Sequence, residues 1–200
     1  MHNEHRPSYS AKFVVAGGFG VGKTTFVNSI SEIEPLTTEA ALTEDSADID
    51  RLVDASEKTT TTVALDYGRR TIDESLVLYL FGTPGQHRFW GMWDTISIGA
   101  VGAIVLVDTS RHEASFPAID YFEHRSLPFV VAVNDFDGAA IYDVEDIRAA
   151  LVVAQETPII RCDARDEESC RNALVNLVDH ALEKEYLSRR VTEKEYSPLR

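Results

Sequence analysis

No uncharged stretch of this sequence is long enough to cross a bilayer. The longest, Thr95–Val107, falls well short of the roughly 20 residues a spanning helix needs. Met1–Ser10 is polar and lacks the apolar segment of a secretory leader. His2 stands where myristoylation requires glycine, and the final Ser-Pro-Leu-Arg contains no prenylation cysteine. The expectation is a cytoplasmic protein with no intrinsic membrane anchor. Cysteine is scarce: Cys162 and Cys170 have no metal-ligand companions and read as reduced thiols in or near the core. Cationic residues are also in deficit, with 19 Lys and Arg against 33 Asp and Glu and a net charge of −14. Arg69–Arg70 and Arg189–Arg190 are isolated pairs rather than a patch, which argues against nucleic acid as a partner. No internal repeat is visible.

What is present is an alternation of apolar runs with helical spacing. Lys12–Ala16, Thr62–Gly68, Leu76–Phe81, Ala100–Asp108, Pro128–Asn134 and Pro158–Cys162 read as strands, the second and third forming a hairpin around Arg70–Asp73. Lys23–Ser31, His112–His124 and Val144–Val152 read as helices. A last helix is marked by Cys170, Leu174, Leu177, Val178 and Ala181, with Asp166 as its cap. This pattern predicts an α/β fold with a mostly parallel six-stranded sheet flanked by helices. With 44% hydrophobic residues, the chain suits one domain over residues 11–187, with flexible tails at 1–10 and 188–200. Between Glu32 and Glu57 lie nine acidic residues and one basic one, Arg51, with little periodicity; this reads as a long acidic loop.

Gly17-Gly18-Phe19-Gly20-Val21-Gly22-Lys23-Thr24 matches G-x-x-x-x-G-K-[ST] at every fixed position, after a strand and before a helix. Glycines let the backbone curl, so that N–H groups along Gly17, Gly18, Gly20, Val21, Gly22 and into Thr25 can face phosphates. Lys23 supplies a cation for the β- and γ-phosphates, and the Thr24 hydroxyl suits Mg²⁺. Triphosphate binding follows from this loop alone; the base does not.

Asn134 and Asp137 stand just past a buried strand. A carboxylate there can accept two hydrogen bonds from the N1–H and amino group of guanine, which adenine cannot supply. Asn and Asp also favour ordinary turns at a strand end. Arg161–Arg165 follows the last strand, and N–H groups there, at Ala164 for instance, can meet the guanine oxygen. Phe81-Gly82-Thr83-Pro84-Gly85-Gln86 ends another strand. Gly85 can offer its N–H to a γ-phosphate, and Gln86 can orient an attacking water.

In this order the motifs resemble the Ras-like small GTPases of the P-loop NTPase class over about residues 11–185. They resemble most the bacterial MglA-like branch and the conservon-encoded GTPases of actinomycetes, through LFGTPGQHRFWGMWD, GAIVLVDTS, PFVVAVNDFDG and CDARDEES. The resemblance implies a GTP/GDP switch in a bacterial cytoplasm, slow and partner-stimulated, with Mg²⁺ as cofactor. It also implies a small roadblock-type partner and a membrane sensor-kinase-like complex that recruits the chain peripherally. Carried over by residue, Lys23, Thr62 and Gln86 are catalytic, with Thr62 as the first-switch threonine; Thr24 and Thr62 hold the metal. Gly17, Gly22, Gly85, Asn134, Asp137 and Ala164 bind nucleotide.

Two positions depart from the family pattern. The D-x-x-G aspartate is Gly82, and the N-K-x-D lysine is Asp135. The first removes a carboxylate from the metal site and the second a cation from the base, so weaker nucleotide binding than in Ras is expected. These departures keep open a guanine-nucleotide-binding scaffold with negligible turnover. A P-loop ATPase is a further alternative, although partition-type ATPases carry a lysine where this chain has Gly18. Arg51 and Lys58 can act as an intrinsic arginine-finger substitute or be solvated loop charges; His87 and Arg88 lie beside Gln86, and Arg88 can reach a partner or the γ-phosphate or serve as a surface charge. Phe89, Trp90, Met92 and Trp93 read as part core and part partner surface. Asp108 reads as the cap of the turn after its strand.

Overall fold

A computed structural model of the chain describes residues 9–34, 36–42, 61–85 and 91–195, with the backbone alone at 36–42, 61–64 and 189–195. The strands are β1 (Tyr9–Gly17), β2 (Leu36–Leu42), β3 (Thr61–Thr71), β4 (Leu76–Gly82), β5 (Gly102–Val107), β6 (Phe129–Asn134) and β7 (Ile159–Cys162). They form one sheet in the order β2-β3-β4-β1-β5-β6-β7. From β4 to β7 all neighbours are parallel, and β2-β3 and β3-β4 are antiparallel.

Side chains alternate along a strand, so β1 serves both faces. Phe13 and Val15 join Phe26, Leu80, Leu106 and Leu177 beneath α1 (Lys23–Ile30) and α5 (Glu167–Glu195). Val14 and Ala16 join Trp93, Phe122, Phe129 and Leu151 beneath α2 (Gly91–Ser97), α3 (Phe116–His124) and α4 (Val144–Leu151). β5 and β6 are buried at every residue, as expected of parallel strands covered on both sides. The parallel strands end at one edge, and the loops that leave it carry the phosphate motif, Asp108, Asn134–Asp137 and Asp163–Arg165. Open parallel sheets bind ligands at this edge.

The fold class and all six expected strands are present. The seventh strand is β2, inside the stretch read as an acidic loop, where it pairs from Leu36 opposite Tyr67 to Leu42 opposite Thr61. Residues 35 and 43–57 of that stretch lie outside the described residues. β1 begins at Tyr9, and α5 continues through Glu195 because neither Gly nor Pro interrupts the sequence before Pro198. The Asp166 carboxylate caps α5, accepting from the Ser169 N–H at 2.8 Å. Cys162 and Cys170 are free, buried thiols. Trp93 belongs to the core: its ring stacks on Phe122 with centroids 6.4 Å apart, and its indole N–H donates to the Pro84 carbonyl at 3.4 Å. Met92 is partly buried against the same cluster.

Candidate nucleotide-binding site

Gly17 ends β1, and the chain curls through Gly18–Gly22 into α1. Gly22 sits at φ 103°, a left-handed conformation that glycine adopts without penalty. A Cβ on it would lie 2.7 Å from the Asn134 amide nitrogen, so a side chain is excluded on contact grounds too. No side chain caps α1, and its first turn carries no acidic residue. Its leading N–H groups, Thr25 included, are therefore left for an anion. Lys23 is buried and reaches back along the loop, donating to the Gly17 carbonyl at 3.0 Å and the Gly18 carbonyl at 2.7 Å. Burial lowers its pKa to about 8, with the Asp66 charge opposing part of that fall. Gly85 presses on the loop from the β4 side. A Cβ there would lie 2.8 Å from Lys23 Nζ and 2.9 Å from the Phe19 backbone nitrogen, so the strand-end glycine and the loop meet backbone to backbone.

Position 82 lacks the expected carboxylate, and the structure supplies one from the neighbouring strand. In the β3-β4 hairpin Asp66 pairs directly with Gly82. The Asp66 carboxylate lies over the glycine, within 3.0 Å of where a Cβ at 82 would stand, and it accepts a hydrogen bond from the Thr24 hydroxyl at 2.7 Å. A side chain at 82 would press on Asp66 and require it to give by a few tenths of an ångström. Thr24 and Asp66 form the hard oxygen pair that suits Mg²⁺, an ion that uses one or two carboxylates and takes further ligands from water and phosphate. Among the described residues no group of three or more His, Cys, Asp or Glu is gathered to hold a metal by protein ligands alone. Next to Gly82, the buried Thr83 hydroxyl has no hydrogen-bond partner among the described residues.

The base side is joined to the phosphate side by one carboxamide. Asn134 donates from Nδ2 to the Val21 carbonyl and accepts at Oδ1 from the Ala164 N–H, both at 2.9 Å. It is buried, and its place in the site is that of a clamp between the two loops. Ser29 of α1 adds a second tie, donating to the Ala164 carbonyl at 2.6 Å. Asp137 projects into solvent and is paired with Arg165 at 3.1–3.2 Å, while Arg165 is also held by Asp163 at 2.9 Å. Asp135 pairs with Arg161 of β7.

The structure therefore gathers Gly17, Gly18, Gly20, Val21, Gly22, Lys23, Thr24, Gly85, Asn134 and Ala164 at one edge, with Asp137 at its rim. It does not bring Thr62 there. Thr62 is in β3 opposite Ala41, in the part of the strand that extends beyond β4. It is four residues from Asp66, on the order of 13 Å along the strand. Gln86, His87, Arg88, Phe89 and Trp90 lie outside the described residues, as do Arg51 and Lys58. Sequence reading missed Asp66, although Gly82 was its signal: a missing carboxylate invites a search of the strand paired with it. It also missed the pairing of Arg161 and Arg165 with Asp135 and Asp137. Asp108 does cap its turn, accepting from the Ser110 N–H at 2.9 Å.

Comparison with known proteins agrees with this architecture. The cytosolic domain of the T. maritima FeoB iron transporter in apo form superposes with a TM-score of 0.61 at 16% identity, over 86% of this chain; the match spans 64% of that domain. The FeoB G-domain from Methanococcus jannaschii superposes with a TM-score of 0.55 at 13% identity, over 86% of this chain and 97% of the domain. Both likenesses are of fold, which is that of the P-loop, Ras-like GTPases. An uncharacterized protein of Methanocaldococcus jannaschii is 30% identical over 139 residues, which span 66% of this chain and 77% of its own. The model of one family matches residues 15–184, from the last residues of β1 through most of α5. The chain belongs to that family, described as conserved hypothetical ATP binding protein.

Proposed function

We propose that the chain is a GTP-hydrolysing switch protein that uses Mg²⁺ at Thr24 and Asp66. The observation that carries this reading is the Thr24–Asp66 hydrogen bond at the uncapped end of α1, with Lys23 buried alongside. Bound there, Mg²⁺ would neutralise charge on the β- and γ-phosphates. The chain's own groups do the rest. Loop N–H groups and the α1 terminus bind the phosphates. Lys23 exchanges its two loop carbonyls for phosphate oxygens. Gly85 offers its N–H beside the γ-phosphate, and Gln86 orients the water whose oxygen attacks phosphorus as the bond to the β–γ bridging oxygen breaks. Asp137 reads the guanine edge once Arg165 turns away from it toward Asp163, and Asn134 keeps the base loop in register with the phosphate loop. Thr62 closes on the γ-phosphate when β3 shifts or its leading end bends, which gives hydrolysis a conformational output.

The finer assignment to the MglA-like, conservon-encoded branch rests on the motif resemblance. So do a bacterial cytoplasmic location, a roadblock-type partner and peripheral recruitment by a membrane sensor-kinase-like complex. The strongly acidic surface and the lack of any helix among the described residues long and apolar enough to cross a membrane are compatible with recruitment by proteins. One observation favours ATP as a second reading: the guanine-reading carboxylate is closed by Arg165, in a family described by ATP binding. Phosphate release in single-turnover reactions with GTP and with ATP, for the parent and Gln86→Leu, tests both. GTP is expected to be cleaved and Gln86→Leu to stop it. Cleavage of ATP at the same rate overturns the guanine reading, and no cleavage of either leaves the scaffold.

A further inference from the structure

Beyond Val107 the chain enters Asp108 and the 3-10 segment Thr109–Ser115, which packs onto the phosphate loop. A Cβ on Gly18 would lie 2.6 Å from the Ala114 Cβ. Asp108 is buried and organises this segment with both oxygens. Oδ1 accepts from the N–H and the hydroxyl of Ser110, at 2.9 and 2.6 Å. Oδ2 accepts from Nε and Nη2 of Arg111, at 3.0 and 2.9 Å. Arg111 has φ −142° and ψ 45°, so the backbone leaves its helical path at the residue whose side chain folds back on Asp108.

The outcome is a guanidinium held by one edge at the flank of the phosphate loop. Nη2 lies 3.9 Å from where a Cβ on Gly20 would stand, and among the described residues other than Gly20 and its two chain neighbours no other heavy atom comes within 4 Å of that point. A guanidinium has five N–H donors in a fixed fork, and Asp108 takes two of them. The opposite edge remains for a second planar acceptor. Two further facts give that edge a use. Position 135, where the resemblance places a lysine near the base and loop, is an aspartate already paired with Arg161. Lys23 is confined to the buried side of the loop, whereas Gly20 and the Arg111 side chain are on its solvent side.

We propose that Arg111 is a nucleotide phosphate contact supplied from within the chain, with Asp108 as its positioning residue. This rests on nucleotide binding at the loop, not on the identity of the base. Arg111 bridges the Asp108 carboxylate and a phosphate oxygen, donating to both. Because Asp108 already fixes it, little side-chain freedom is lost when the nucleotide arrives.

The test follows dissociation of N-methylanthraniloyl GDP and GTP from the parent, Arg111→Gln, Arg111→Lys and Asp108→Asn, with guanosine affinity measured by competition. Arg111→Gln is expected to release both nucleotides about three to ten times faster, a charge-assisted bond discounted for its exposure. Guanosine affinity stays at the parent value, and the dependence of nucleotide affinity on salt becomes shallower. Arg111→Lys recovers part of the loss, and Asp108→Asn lies between parent and Arg111→Gln. If Arg111 only closes the 3-10 segment, the variants lower the thermal midpoint of the empty protein and weaken guanosine and nucleotide alike; that result overturns the proposal. Unchanged dissociation in Arg111→Gln overturns it too. Should the parent prefer adenine, the same arms run with labelled ADP, ATP and adenosine, so failure of the guanine reading is seen separately. A parent that binds neither series defeats both readings.

Discussion

The phosphate end and the base end of this site are built on opposite principles. At the phosphate end the groups are tied to one another: the buried Lys23 to the loop carbonyls, the more exposed Thr24 to Asp66, and Asp66 against Gly82. At the base end the carboxylates stand in water and are paired with guanidinium groups, Asp137 with Arg165 and Asp135 with Arg161. Linked bonds of the first kind hold geometry before a ligand arrives. Exposed pairs of the second kind contribute little to stability and are readily exchanged. Under the proposed function, the phosphate end would supply affinity and the base end would be where selectivity is adjustable.

The comparison breaks first if Lys23 is dispensable. Lys23→Ala should weaken nucleotide binding by about a hundredfold or more, the scale for losing a desolvated charge partner. Calorimetry showing parental affinity would remove the phosphate end from the account. Next is the relocated carboxylate. Asp66→Asn should lose about ten- to hundredfold in nucleotide affinity with Mg²⁺ present and little in EDTA. Moving the carboxylate back, with Asp66→Ala and Gly82→Asp together, should restore part of the Mg²⁺ dependence. Gly82→Asp alone should destabilise the fold, since its Cβ would stand 3.0 Å from the Asp66 Cβ.

At the base end, Asp137→Asn should move preference from guanosine toward xanthosine triphosphate by about tenfold or more, as expected when a paired donor–acceptor set is inverted. Competition binding with both nucleotides decides it.

Proton linkage sharpens the contrast further. The Lys23 pKa of about 8 in the folded, empty protein lies below its ordinary value of 10.5. The unfolded chain therefore binds more protons between those values, and the stability of the empty protein should rise with pH from about 8 upward through this group. Nucleotide affinity should fall over the same range, because the neutral amine no longer meets phosphate with a charge. Lys23→Met should flatten the Lys23 contribution to stability, and denaturant titrations at several pH values measure it. The smallest effect lies far from the site. Val152 ends α4 with φ 55° and is largely exposed. Val152→Gly should stabilise by about 0.5–1 kcal/mol by relieving a left-handed β-branched residue, read as a rise in Tm.

The phosphate end was the more legible of the two in sequence, because its ligands are contiguous and its motif has fixed spacing. Asp66 escaped because its contact with Thr24 spans 42 residues and depends on the register of the β3-β4 hairpin. A glycine in place of an aspartate says that something is gone, not which strand replaces it. Of the six strands read in the sequence, β1, β4, β5 and β6 carry the buried runs that marked them. β2 was missed because LTTEAAL has no sustained alternation and lies in an acidic stretch. α2 was missed because GMWDTIS is short and rich in poor helix formers; the burial of Trp93 and Ile96 holds it. At the base end, sequence located Asn134 and Asp137 but not their states. One is spent within the protein and the other is closed by an arginine, and both follow from side-chain directions that spacing does not encode.

The clamp made by Asn134 has a thermodynamic consequence. Its carboxamide joins Val21 of one loop to Ala164 of the other, so ordering either loop prepares its neighbour. Nucleoside and inorganic pyrophosphate, offered as separate fragments, should bind with positive cooperativity, and Asn134→Ala should weaken that cooperativity, leaving the bond from Ser29 to Ala164 as the remaining tie. One buried amide would then carry much of what makes the chain sense a whole nucleotide rather than the sum of its parts.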